Sequence, residues 1–184
     1  MGCSGGETPM KLNAERILAK ARERGISVGR VVSSKAVEQF EQRYGIELPS
    51  EYKAFLLHVG NGNEGPYDSC LLYFYDPLRE VQPRTAPVRL NSDRVRLPFP
   101  FSQQWVWEAE PVSPHGTSDD AENGNICVAE GGCGMEWRLI VTGPERGNMW
   151  FFADVGICPT VPRRGFLAWY EAWLDGERWH PDVE

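Results

Sequence analysis

A single domain of helices and strands is what this sequence predicts. Its 184 residues suit one core. The first third and the last element repeat apolar residues at helical spacing. Between them the pattern changes to the alternation and turn chemistry of strands. With 41% hydrophobic and 24% charged residues, the composition is that of an ordinary globular chain, and seven Trp supply large rings for its interior.

Residues 1–9 read as a flexible N-terminal tail and 10–184 as the domain. A helix over 10–24 puts Ile17, Leu18 and Ala21 on one face and stops at Gly25. A second begins after Ser33 or Ser34, either able to cap it. It spaces Val37, Phe40, Glu41 and Tyr44 helically and ends at Gly45, a favourable left-handed stop. A third follows Leu48-Pro49 with Ser50 as cap, a stripe of Tyr52, Phe55, Leu56 and Val59, and Gly60-Asn61-Gly62 as its close. Cys70–Tyr75 is short, apolar and aromatic, as a buried strand should be. The Pro-rich stretch 81–124 is ordered by Phe99, Phe101, Trp105 and Trp107 docking onto the body.

Strands resume at Ile126–Ala129 and Met135–Thr142. In the latter, Met135, Trp137, Leu139 and Val141 alternate with Glu136, Arg138, Ile140 and Thr142. Gly143, Pro144 and Gly147 give 143–147 turn chemistry, and Met149–Phe152 returns as the other half of a hairpin. Phe166, Trp169, Tyr170, Trp173 and Leu174 then fall at i, i+3, i+4, i+7 and i+8. That is the stripe of a helix lying over a core.

A net charge of -7 argues against a grip on nucleic acid, which needs clustered Lys and Arg, and suits a basic protein partner. The cysteines, Cys3, Cys70, Cys127, Cys133 and Cys158, are odd in number, without C-x-x-C spacing or a secretion signal. They read as reduced thiols of a cytoplasmic chain. No apolar run approaches the ~20 residues of a membrane helix, and the start MGCSGG does not fit a lipidation signal.

Gly132-Cys133-Gly134 is the first place to look for chemistry. A nucleophilic thiol needs a base, and none of His58, His115 and His180 is placed by sequence to pair with Cys133. The expectation is that the glycines allow close strand approach and Cys133 is a small core filler, with no catalytic residue. Cys127 and Cys133 lack the clustered partners of a metal site, and Gly60–Gly65 lacks the Lys and helix of a phosphate loop. No metal or other cofactor is expected.

Val37–Gly62 (VEQFEQRYGIELPSEYKAFLLHVGNG) resembles the opening of SUKH-superfamily domains, the Smi/Knr group. It has an acidic residue four past an apolar one, then Leu48-Pro49, then Tyr52, Phe55 and Leu56, and Gly62 at its end. The likeness continues through Leu97–Trp107, Gly132-Cys133-Gly134, the segment Leu139–Trp150 with Gly143 and Gly147, and Phe166–Gly176 with Trp169, Trp173 and Leu174. In this order the segments resemble the bacterial branch, over roughly 33–176. The resemblance implies an α+β domain, helices packed on a mostly antiparallel (mixed) sheet, with no catalytic site. It implies an immunity protein that holds and occludes a polymorphic toxin, often a nuclease; a regulatory or scaffolding adaptor of the Smi/Knr type is the alternative. A cysteine-dependent enzyme is the rival outside the family.

Where such a partner binds is suggested by charge. Between Arg96 and Arg138 there is no Lys or Arg, yet Glu108, Glu110, Asp119, Asp120, Glu122, Glu130 and Glu136 lie there. An acidic surface over Glu108, Glu110, Asp119, Asp120 and Glu122, anchored by exposed Trp105 and Trp107, would match the basic cleft of a nucleic-acid-cutting toxin.

Overall fold

Local chemistry sets the helix ends in the computed structural model, which describes residues 7–65, 70–72, 74, 87–107 and 113–178. Helix α1 spans Glu7–Glu23, α2 Ser34–Tyr44, α3 Ser50–His58 and α4 Phe166–Leu174. The Ser33 side chain accepts from the Ala36 N–H at 3.3 Å at the start of α2, and Gly45 ends it at φ 63. Both signals were legible. At α3 the cap position is Pro49 rather than Ser50, and it offers no side-chain bond. Proline suits that place, since the first helical amides lack intrahelical partners.

The acid four past Val37 has a structural task. Glu41 Oε1 accepts from the Leu48 N–H at 2.7 Å, fixing the turn that leads into Pro49. In the same manner Glu51 of α3 serves α4, whose cap residue Gly165 has no side chain to offer. Glu51 Oε2 accepts from the Leu167 N–H at 2.9 Å. A Cβ at position 165 would overlap that carboxylate, so a larger residue there would displace the Glu51 side chain from its bond to Leu167.

Helix α1 starts at Glu7, three residues ahead of the helix expected over 10–24; residues 1–6 lie outside the described residues. It packs on α3 and α4, burying Ala14, Ile17 and Ala21 completely. Arg16 reaches Glu171 at 2.7 and 2.6 Å, Lys20 reaches Glu171 and Asp175 at 2.8 Å each, and Arg24 donates to the Leu174 carbonyl. The hydrogen bond from Arg16, reinforced by Lys20 against the opposing effect of burial, holds the Glu171 carboxyl down to about 2. A depressed carboxyl contributes stability above its unfolded pKa and loses it as pH falls toward the folded one. The contribution is therefore complete above about pH 5 and disappears toward pH 2. Glu171→Gln is expected to remove about 1 kcal/mol at pH 7, after allowance for solvent screening, and to make urea unfolding less pH-dependent between about pH 5 and 2. A variant that tracks the parent at every pH would show that this anchor is idle.

The described strands are β1 (Asn63–Glu64), β2 (Cys70–Leu71), β3 (Trp105–Val106), β4 (Asn125–Gly132), β5 (Met135–Ile140), β6 (Met149–Ala153) and β7 (Gly156–Pro159). They form one sheet in the order β1-β2-β4-β5-β6-β7-β3. Every described pairing is antiparallel, so the α+β fold is as expected while no parallel pair makes the sheet mixed. Of the strand expected at 70–75, β2 covers the first two residues; Leu72 and Phe74 follow buried, and Tyr73 and Tyr75 lie outside the described residues.

The sheet carries a core on each face. On one face, Trp137 and Leu139 of β5 with Met149 of β6 meet Leu48, Tyr52, Phe55 and Leu56 of the helical layer and Phe166, Trp169, Tyr170 and Leu174 of α4. Trp173 is only half-buried, at the end of the stripe, with its ring 5.3 Å from that of Tyr170. On the other face, Ile140, Trp150, Phe152 and Ile157 pack beneath Phe99, Phe101, Trp105 and Ala121 of the Pro-rich segment. That segment is pinned by the Phe99 N–H donating to the Thr142 carbonyl at 3.0 Å and the Gly124 N–H donating to the Arg94 carbonyl, also at 3.0 Å. At Gly143, φ 106, a Cβ would press on both backbone polar atoms of Phe99. Phe99, Phe101 and Trp105 thus dock as the sequence predicted.

Candidate functional site

Cys133 sits at the tip of the β4–β5 hairpin, where Gly132 pairs with Met135. It is exposed, and its φ of 52 lies between Gly132 at 76 and Gly134 at 75. The expected core filler is therefore a turn residue. The flanking glycines serve a tight reversal, although Gly134 also has a close neighbour: a Cβ there would overlap the Asp154 carboxylate. Of the imidazoles, His58 ends α3, His115 stands in the loop before the 3-10 turn Ser118–Glu122, and His180 lies outside the described residues.

The acidic stretch folds differently from its linear reading. Trp105 is 4% exposed and stacks on Phe101 at 5.3 Å, so it is core and cannot serve as an exposed anchor. Trp107 is half-buried against Trp105, and its Nε1 donates to the Asp154 carbonyl at 2.7 Å. Glu108 and Glu110 lie outside the described residues. Asp120 is turned inward to its own backbone: its Oδ2 accepts from the Thr117 N–H at 2.8 Å and from Thr117 Oγ1 at 2.9 Å. The Thr117 backbone bond leads in holding its carboxyl below the ordinary range. Asp119 is exposed.

Antiparallel pairing supplies the cations that the linear stretch lacks. An isolated bridge joins Arg89 to Cys127 of β4, and alternation along β5 puts Glu136 and Arg138 on the outer face beside it. Arg89 then meets Glu130 at 3.0 Å and Glu136 at 2.6 Å. Arg138 meets Glu136 and Glu122 at 2.8 Å each, bonds Asn125 Oδ1 at 3.2 Å, and lies 4.4 Å over the Phe152 ring. Burial would raise the Glu136 carboxyl, but Arg138 first and Arg89 beside it bring it below the ordinary range. Sequence reasoning placed Glu122 on an exposed acidic surface, counted Glu130 and Glu136 only within the same acidic stretch, and missed this network. The signal for it was the alternation of Glu136 and Arg138 on one strand face.

Arg89, Leu90, Asn91, Glu122, Asn125, Cys127, Glu136 and Arg138 line a cleft of about 290 Å³. Its thiol is poorly suited to attack: burial, then the Glu136 charge, pushes Cys127 up to about 12 despite the arginines. Burial alone pushes the Cys158 thiol up to about 11. The charged groups of the cleft are engaged with one another. The described residues gather no cluster of three or more His, Cys, Asp or Glu that could hold a metal ion, and none of their helices is long and apolar enough to cross a membrane.

Compared with the curated proteins and with the solved structures, the chain finds no match. The family model described as the SMI1 / KNR4 family (SUKH-1) matches residues 31–165, from just ahead of α2 to the cap residue of α4. That span is well over half of the chain and holds the Glu41–Leu48 turn, the whole described sheet and both segments of the outer cover. The chain therefore belongs to the SMI1 / KNR4 family (SUKH-1).

Proposed function

We propose that this protein is a non-enzymatic binding domain of the immunity type, which neutralises a toxin by holding it and occluding its working surface inside the cell. Membership of the SMI1 / KNR4 family is the observation that carries the reading, because it fits an immunity or Smi/Knr-type role. Two features support the non-enzymatic half. The cleft's acids and arginines neutralise each other instead of presenting an uncommitted acid or base, and its thiol is kept protonated. The two-core body supports the other half: a surface set on strands packed on both faces is pre-ordered, which lowers the ordering cost of binding.

The test is co-expression with the toxin encoded beside the gene. Cells arrested by that toxin alone are expected to resume growth when the full chain is present, and the purified pair to co-elute. Continued arrest, with a stable partner that is not a toxin recovered instead, would move the assignment to the adaptor reading of the same family. Rescue that disappears in Cys133→Ser while binding persists would favour a cysteine-dependent activity.

A further inference from the structure

Helix α1 is attached to the body by side chains. Among the described residues no backbone hydrogen bond links 7–25 to the chain beyond Ile26. Of its described side chains only Ala14, Ile17 and Ala21 are buried, a narrow seam laid on α3 and α4. The rest of the hold is electrostatic. Arg16, Lys20 and Arg24 recur every four residues along one side of the helix and its end. They meet Glu171 and Asp175, also four apart, and the carbonyls that end α4, where cations are favoured.

Soon after the helix the chain is pinned to the body. The Ser27 and Val28 carbonyls accept from the Glu64 and Gly62 N–H at 3.1 and 3.4 Å, and the Val32 N–H donates to the Leu56 carbonyl at 2.7 Å. Between helix and body lie Arg24, Gly25 and Ile26. They reverse the chain through a left-handed Gly25, φ 69. The Gly25 N–H donates to the Arg22 carbonyl at 3.1 Å and the Ile26 N–H to the Ala21 carbonyl at 2.8 Å. A Cβ at Gly25 would meet nothing within 4 Å, so glycine serves the positive φ of this turn alone. That turn sets the direction in which α1 leaves the body.

We infer that the α3–α4 face is also the docking site for the α1 of a second copy, and that two chains exchange these helices through an opened hinge at 24–26. The charge match selects that occupant. What Arg16, Lys20 and Arg24 recognise on their own α4 is offered unchanged by every other copy. Exchange between two chains fills both sites and closes the pair with two-fold symmetry, so no open chain of copies results. A helix on a short tether is present at its own site at an effective concentration of about mM. Single chains therefore prevail in dilute solution, and exchanged pairs accumulate as the protein is concentrated.

Charge reversal on opposite sides of the contact tests this with full-length chains. One variant combines Arg16→Glu with Lys20→Glu, the other Glu171→Arg with Asp175→Lys. Like charges then meet within each chain and between identical copies, and only a mixed pair matches at both sites. Equal amounts of the two are expected to sediment as a one-to-one pair at concentrations where each alone sediments as a single chain. The dissociation constant of that pair should rise at least tenfold on going to high salt. Gly25→Val is the second variant, should charge reversal prevent folding. A branched residue resists the positive φ that the closed turn needs and an extended hinge does not. It should therefore lower the dissociation constant of the parent dimer at least tenfold. Because exchange preserves every contact, the amide shifts of that dimer should coincide with those of the single chain outside about 24–28. Folded reversal variants that stay single when mixed, a Gly25→Val chain no more associated than the parent, or a dimer whose shifts differ across another face would each overturn the proposal.

Discussion

Replacing Trp169 with Ala is expected to lower the unfolding free energy by about 3–5 kcal/mol in a urea titration, the cost of emptying a large aromatic site in a packed core. Trp169 has no exposed surface. Its ring lies 5.3 Å from that of Trp137 on β5, 5.6 Å from that of Phe166 and 6.5 Å from that of Tyr170. It thus joins α4 to the sheet through a direct ring contact with Trp137. Deleting it opens a cavity among residues that are themselves fixed by neighbours, so little collapse is available to reduce the loss. The indole N–H has no acceptor among the described residues. Trp169→Phe removes that buried donor along with part of the ring, so the two effects oppose each other and the cost should be about 1 kcal/mol. A change below about 1 kcal/mol for the alanine variant, with an unchanged urea slope, would show that α4 is not held through this ring.

What the sequence disclosed and what it hid divide along a physical line. Ser33, Gly45 and the α4 stripe act within a turn or two of themselves, and their meaning does not depend on distant partners. Phe99 and Phe101 were legible for another reason: large rings in a Pro-rich stretch must find apolar surface somewhere. Gly132-Cys133-Gly134 was misjudged because glycine answers two needs, close approach and positive φ, and only the register of Gly132 with Met135 shows that the reversal needs it. Glu122, read as part of an exposed acidic surface, meets Arg138 on β5, and the Arg89 that meets Glu130 and Glu136 arrives through a bridge to Cys127, 38 residues away along the chain. Charge counted along a sequence is a poor guide to charge on a sheet face, where antiparallel pairing sets the neighbours.

Arg138→Met is expected to destabilise the protein by about 2–4 kcal/mol at pH 7, since it breaks a largely buried pair and leaves the other side unmatched. The guanidinium side chain is 15% exposed and serves Glu136, Glu122 and Asn125 at once. Without it, Glu136 keeps Arg89 at 2.6 Å, while Glu122 loses its partner over the edge of the outer core. The pH dependence has a definite sign. In the parent, Glu136 is held below the ordinary carboxylate range, so its contribution is present above about pH 4.5 and is lost as pH falls through the folded value. Loss of Arg138 removes the leading charge that opposes burial and raises that carboxyl relative to the parent, so the deficit of the variant is full at pH 7 and narrows in acid. A double-mutant cycle with Glu136→Gln isolates the pair, and the expected coupling is about 1–3 kcal/mol. Additivity within about 0.5 kcal/mol would mean that the two side chains behave as independent, solvated charges. In that event the outer-face acids Glu122 and Glu136 would be available to a partner.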